Sequence, residues 1–200
     1  VLTDEPPRGY AHDQDPSNQV QIVLLHDAPP ETDLRKSLLE KIIVNVLSGG
    51  MSGRLFSEVR EKRGLCYSVS AGYRGDRTFG GVTAYVGTTP ERAQESLNVL
   101  HEQLLRIQTP EGRITPEEFS RAVFGMKARL VMSGESTHAR AHALANDMYR
   151  FDYARSLDQI AAQIVSVPLD AVNVYLSTRS LGRVTIQTLG PAELKPPGMQ

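Results

Sequence analysis

Short stretches in which apolar and polar residues alternate predict the strands of this chain. Residues 19–25 alternate valine, isoleucine and leucine with two glutamines and a valine, as a half-buried strand does. The same period recurs in residues 65–73 and 81–86, and the turn residues between them predict a hairpin. A last alternating stretch, residues 183–189, predicts a closing strand.

Apolar residues that recur three or four positions apart predict helices between these strands. One helix start is marked most clearly, because Thr115 and Glu118 match a capping box while Ile114 and Phe119 match a hydrophobic staple. In another helix, Pro90 occupies the first helical position. The predicted helices cover residues 33–47, 52–63, 89–107, 115–130, 136–149, 156–164 and 168–178.

Prolines and missing periodicity divide the chain into three parts. Residues 1–18 contain three prolines and no apolar period, so they are interpreted as a linker, and residues 191–200 as a tail. Residues 19–190 are predicted to form a single domain. Because strands at both ends bracket a mostly helical middle, the fold class is α+β: a two-layer sandwich in which a largely antiparallel sheet packs against several helices.

The composition excludes several classes of partner. The chain has 200 residues, 40% of them hydrophobic, a formal net charge of -1 and no long block of one charge sign. This predicts no nucleic-acid partner. Since no apolar run approaches the ~20 residues that span a bilayer, we expect a soluble domain without a membrane partner; its compartment is not indicated. The first residue, Val1, suggests a piece of a longer or processed protein.

Three possible sites have weak support in the sequence. The GGMSG stretch lacks the Gly-Lys-Ser/Thr of a phosphate loop and follows a predicted helix rather than a strand. His138 and His142 are four residues apart, a spacing that suits zinc, but neither a glutamate base nor a third ligand accompanies them. Cys66, the single cysteine, has no predictable histidine partner and is not expected to be a nucleophile.

A charged helix and the strand after it suggest a different site. Glu58 and Lys62 form a favourable pair four residues apart, whereas Arg60 lies at the border of the apolar stripe, from which its guanidinium can project. Tyr67 follows after the reversal at Gly64, so a guanidinium and a phenol can converge where they would bind a peptide carbonyl. The pattern alone favours the plainer alternative, a surface Arg60 and a core Tyr67.

Four blocks of the sequence resemble the second half of pitrilysin/insulinase-type zinc peptidases, a family that includes the mitochondrial processing peptidase. The likeness extends from about Gln19 to Pro191. Its most specific part is an arginine followed by a tyrosine seven residues later, after a glycine loop. The blocks are LSGGMSGRLFSEVREKRGLCYSVSAGY, GVTAYVGTTPERAQESLNVL, ITPEEFSRA and VTIQTLGP.

The resemblance implies a half-domain of the LuxS/processing-peptidase-like type and a role in substrate binding. Such enzymes enclose a chamber between two homologous halves; the first holds zinc through an inverted His-x-x-Glu-His motif and a distant glutamate. The second half presents an arginine and a tyrosine to the substrate backbone, and these positions match Arg60 and Tyr67. Gly49 and Gly50 lie where the processing peptidase has a longer glycine-rich loop that contacts substrate.

The resemblance also implies that this chain alone is inactive. It contains no His-x-x-Glu-His, and its HARAH stretch has alanine at the glutamate position. We therefore expect no catalytic residue, metal site or cofactor here, and zinc in a homologous partner half, in the same polypeptide or another subunit. The expected function is the C-terminal substrate-binding domain of a zinc endopeptidase acting on peptides, with homo-oligomerisation possible. The alternative is a noncatalytic scaffold or partner subunit of the same family.

Overall fold

Strands from both ends of the chain meet in one mixed sheet. The computed structural model describes residues 8–179, 181 and 184–198, and within them five strands follow the order β1-β5-β2-β4-β3. Strand β1 runs parallel to β5, and the other neighbours are antiparallel. The strands are β1 Gly9–Gln14, β2 Val20–Ala28, β3 Ser68–Gly75, β4 Gly80–Thr88 and β5 Thr185–Gly190.

Helices cover one face of this sheet, which confirms the predicted α+β sandwich. Alternate residues of the strands, such as Ile22, Val86 and Ile186, are buried in the same apolar core as Ile42 and Leu97 of the helices. The α-helices are α1 Leu34–Ser48, α2 Ala93–Arg106, α3 Pro116–Glu135, α4 Thr137–Phe151, α5 Leu157–Val165 and α6 Leu169–Thr178. Short 3₁₀ turns cover Pro90–Arg92 and Pro110–Gly112.

The opposite face of the sheet carries no helix among the described residues, and we call it the open face. Its residues are small or polar for the most part and are half-buried or exposed. They include Gln21, Val23 and Leu25 of β2, Ser68, Ser70 and Gly72 of β3, and Thr83, Tyr85 and Gly87 of β4. An antiparallel sheet with one packed and one open face shows this alternation.

Strand β1 lies in the segment interpreted as a linker, so that interpretation is wrong for residues 9–14. The strand is held by its pairing with β5 and by the hydrogen bonds of Tyr10. The Tyr10 hydroxyl lies 2.9 Å from the Thr188 hydroxyl and accepts from the Leu194 amide at 2.7 Å. The apolar pattern of the strand itself contributes little. An edge strand with one half-buried face needs no clear alternation. Residues 1–7 lie outside the described part of the chain.

Other predicted boundaries agree more closely. The Thr115–Glu118 capping box is present at the start of α3. The predicted closing strand began at Arg183, which lies outside the described residues, and β5 begins at Thr185. In the predicted tail, the Lys195 amide donates to the Gln94 side chain at 2.7 Å, so this part is held against α2.

None of the described helices is by itself long and apolar enough to cross a bilayer. Helices α5 and α6 reach the required length and composition together, but a bend of 74° separates them.

Candidate functional site

Arg60 and Tyr67 lie side by side at the surface. The guanidinium carbon of Arg60 is 5.3 Å from the centre of the Tyr67 ring and 4.9 Å from that of Phe56. Tyr67 is 84% exposed, so the alternative of a core tyrosine is wrong. The cation is stacked on two aromatic faces, a contact that stabilises by about 0.5–1 kcal/mol at exposed sites and limits where the guanidinium can point.

The helical segment that carries Arg60 is a π-helix. The sequence predicts an ordinary helix over residues 52–63; instead, the segment is helical from Arg54, and residues Phe56–Glu61 are bonded over five positions rather than four. The Lys62 amide, for example, donates to the Ser57 carbonyl at 3.0 Å. Such insertions are rare and occur often at functional sites. The predicted Glu58–Lys62 pair is present at 2.6 Å.

The reversal between this helix and β3 is fixed by several bonds. Gly64 has a φ of +60°, the left-handed conformation expected for a glycine after a helix. Arg92 donates to the Gly64 carbonyl, and the Thr88 hydroxyl donates to the Leu65 carbonyl. The Tyr67 amide bonds the Gly87 carbonyl at 3.2 Å. Backbone and side-chain donors therefore fix the position from which the Tyr67 side chain projects into solvent.

The expected alternation fails at this reversal. Leu65 is buried and Cys66 packs partly against the core, but Tyr67 and Ser68 are both exposed before the alternation resumes at Val69. Regular strand structure begins only at Ser68, so a pattern read from residue 65 assigns Tyr67 to the wrong side. Burial raises the pKa of the Cys66 thiol, while the nearby Arg60 charge lowers it, with a net increase.

A groove opens beside Tyr67 at one corner of the open face. Its volume is about 350 Å³. It is bordered by the reversal, the ends of β4 and β2, and the turn before α2. The lining residues are Gln19, Leu65, Cys66, Tyr67, Ser68, Tyr85, Gly87, Thr88, Thr89 and Arg92.

Arg54 anchors the start of the π-helix, a role that the sequence analysis missed. Its guanidinium bonds both carboxylate oxygens of Glu118 at 2.6 Å and donates to the carbonyls of Gly112 and Arg113. The same carboxylate closes the capping box of α3 by accepting from the Thr115 amide. One ion pair thus joins two helix starts that are distant in sequence, a relationship that no local pattern indicates.

Gly49 and Gly50 do not line the groove. Gly50 has a φ of +113°, and a Cβ on Gly49 would lie 2.3 Å from the Asn45 carbonyl oxygen, so the local chain path explains both glycines. Gly49 lines a separate small cavity between α1 and α3. The role of this loop in substrate contact stays a prediction.

The described residues do not fit a zinc ion. His138 and His142 are both exposed on α4, and the Asn146 amide lies 2.9 Å from Nδ1 of His142. In the described part of the chain, no group of three or more His, Cys, Asp or Glu side chains is arranged to hold a metal. A protein zinc site usually has at least three such ligands.

Comparison with known proteins identifies the family. The family profile described as "Peptidase M16 inactive domain" matches residues 2–126, more than half of the chain. The chain belongs to the peptidase M16 inactive-domain family. An uncharacterized zinc protease of Streptomyces coelicolor is 30% identical over 179 residues, 90% of this chain and 38% of the relative. This M16 inactive domain therefore spans well under half the length of that relative.

Solved structures agree with this assignment at the level of the fold. A peptidase M16 inactive domain from Pseudomonas fluorescens has a TM-score of 0.72 and 23% identity, covering 97% of this chain and 46% of that one. A chain of complex III from Candida albicans has a TM-score of 0.73 and 15% identity, covering 94% of this chain and 46% of that one. The same fold thus occurs in a peptidase M16 inactive domain and in a chain of complex III.

Proposed function

We propose that this M16 inactive domain is the C-terminal substrate-binding half of a zinc endopeptidase, closed over a chamber against a homologous zinc-bearing half. The observation that carries the proposal is the stacking of Arg60 on the exposed ring of Tyr67. The guanidinium and the phenol bring two hydrogen-bond donors of different kinds to one exposed place.

The chemistry assigned to this half is binding rather than bond breaking. Arg60 and Tyr67 donate to the carbonyl oxygen of a peptide substrate and hold that carbonyl in place while the partner half performs hydrolysis. Donors that meet negative charge as it develops on the oxygen contribute more than donors to the neutral group, and loss of one such donor commonly costs about 10²–10³ in kcat. The substrates are extended peptides that fit an enclosed chamber.

The test uses the complete protein assembled with its zinc-bearing half, whether that half belongs to the same chain or a separate one. Tyr67→Phe and Arg60→Ala are expected to lower peptide turnover without changing zinc content or folding. Arg77 and Tyr149 provide a matched control, because they form another exposed arginine–tyrosine stack, at 5.6 Å. Equal turnover in the wild type and both site variants would contradict the proposal.

The second candidate is a noncatalytic scaffold, favoured by the likeness to a chain of complex III. A scaffold uses the same fold to assemble with a partner and has no need of a peptide. Absence of peptide hydrolysis by the complete protein, tested with any separately encoded partner, would favour this candidate.

A further inference from the structure

The groove beside Tyr67 has room for one side chain of a bound peptide. Its volume of about 350 Å³ is at the lower end of the range for ligand pockets, roughly 300–1,000 Å³. Tyr67 forms part of its wall, so a peptide held at the Tyr67 hydroxyl places a neighbouring side chain at the opening. The groove floor is the open face of the sheet, at Ser68, Tyr85 and Gly87.

The charges around the groove favour an anion. Among its described lining residues, Arg92 is the one with a formal charge. Cys66 adds no negative charge at neutral pH, because its pKa is raised by burial. The Arg60 guanidinium carbon lies 5.3 Å from the ring centre of Tyr67, which lines the groove, so a second guanidinium flanks the site. Glu91, next to Arg92, is fully exposed and bonds Thr89, and water screens its charge.

Arg92 has donors left for a ligand. One guanidinium nitrogen, Nη1, donates to the Gly64 carbonyl, which fixes the side chain at the edge of the groove. A guanidinium has five N–H donors in a planar fork, a geometry that matches a carboxylate. Ser68 lines the same groove, and its hydroxyl adds a neutral donor.

We propose that this groove is a specificity subsite for an acidic peptide side chain, glutamate or aspartate, and that Arg92 selects it. The proposal rests on the proposed function, since it assumes a peptide bound at Arg60 and Tyr67. It deepens that function by naming the substrate class: peptides with a carboxylate side chain close to the bond that is cut.

The experiment measures peptide affinity in the complete protein with its zinc-bearing half, after zinc removal by a chelator so that no peptide is cleaved. Each position of one labelled peptide is replaced in turn by Glu, Gln and Lys. At one position, the wild type is expected to bind the Glu peptide about 2–5-fold more tightly than the Gln peptide, and the Lys peptide most weakly. Arg92→Gln removes this preference, Arg92→Lys keeps part of it, and Arg92→Glu reverses it.

The readout is the ratio of the affinities for the Glu and Gln peptides. A variant that disturbs the reversal at Gly64 and lowers the affinity for all peptides equally leaves this ratio unchanged. Arg106→Gln, an exposed arginine of α2 outside the groove, should leave the ratio unchanged. Equal Glu and Gln affinities at every position, with binding still dependent on Tyr67, would overturn the subsite alone. No binding of any peptide, or binding indifferent to Arg60 and Tyr67, would overturn the proposed function and the subsite together.

Discussion

The guanidinium of Arg54 and the carboxylate of Glu118 form a two-point ion pair, with both N···O distances at 2.6 Å. Both side chains are largely shielded, at 16% and 18% exposure. Partial burial raises the pKa of Glu118, but the bonds from Arg54 and the Thr115 amide, together with the charges of Arg54 and Arg121, outweigh it, so the net pKa is below the usual value. The pair therefore holds the π-helix of Arg60 against the start of α3.

Loss of this anchor should destabilise the domain. Arg54→Ala leaves a shielded carboxylate and two carbonyls without their donor, and we expect the free energy of unfolding to fall by about 2–4 kcal/mol. Arg54→Lys should recover only part of this, because an ammonium cannot form the two-point contact. Urea unfolding of the 200-residue chain measures both.

Lys62→Ala is the matched control, since Lys62 pairs with Glu58 while 64% exposed. Exposed pairs contribute roughly 0–1 kcal/mol, so this variant should unfold close to the wild type. Similar losses for Arg54→Ala and Lys62→Ala would show that the Arg54 contact has no special structural role.

The left-handed conformation of Gly64 leads to a second prediction. At a φ of +60° a Cβ is strained, so Gly64→Ala should cost about 1 kcal/mol, whereas Gly64→Asn should cost less because asparagine tolerates this conformation. Gly72→Ala is the control, as its φ is not positive and a Cβ there meets open space. Thermal unfolding distinguishes the three variants; an equal loss at Gly64 and Gly72 would argue against the left-handed turn.

A buried polar cluster predicts how stability depends on pH. His26 Nε2 accepts from Arg179 at 3.0 Å, and Arg179 also contacts the buried carboxylate of Glu40 at 2.8 Å. Burial, and then the charge of Arg179, lowers the pKa of His26 to about 4. Between pH 6.5 and 4 the unfolded chain therefore binds a proton that the folded chain does not, and the free energy of unfolding falls as pH decreases through that window.

His26→Gln should flatten this pH dependence by about 2–3 kcal/mol over the window, because the amide can accept from Arg179 without titrating. Burial raises the pKa of Glu40, which gives the opposite slope above pH 4.5, so the comparison with the wild type isolates His26. Parallel pH profiles for the two proteins would refute the assignment.

Cys66 reports the position of Arg60. Burial raises the pKa of the thiol and the Arg60 charge lowers it, so Arg60→Gln should raise this pKa further and slow alkylation at fixed pH. Arg63→Gln is a suitable control, since Arg63 bonds Glu58 instead. An alkylation rate that stays the same after Arg60→Gln would place the guanidinium away from the thiol.

Sequence patterns predicted the strands β2 to β4 and the capping box of α3 because those signals are local: alternation, turn residues and cap pairs act over a few positions. Strand β1 was missed because its stability comes from parallel pairing with β5, at the other end of the chain. The pattern of residues 183–189 overlapped β5, but nothing local indicated its partner.

In the candidate site, too, some features could be predicted from the sequence and others depend on distant contacts. Arg60 and Tyr67 were identified from the family resemblance, while their contact depends on a π-helix that the ordinary helical period does not reveal. Arg54 and Arg92 were missed because each acts on backbone or carboxylate groups at least 28 positions away in sequence. In the sequence, each of them is a single charged residue at the boundary of a helical segment, and a single residue produces no periodic pattern.

An affinity measurement shows whether Arg60 and Tyr67 bind peptide. The dissociation constant of one labelled peptide is measured for the complete protein with its zinc-bearing half, after zinc removal. We predict that Tyr67→Phe and Arg60→Gln each weaken binding several-fold, by roughly 1 kcal/mol, while Tyr149→Phe binds like the wild type. Identical dissociation constants for all four proteins would contradict peptide binding by Arg60 and Tyr67.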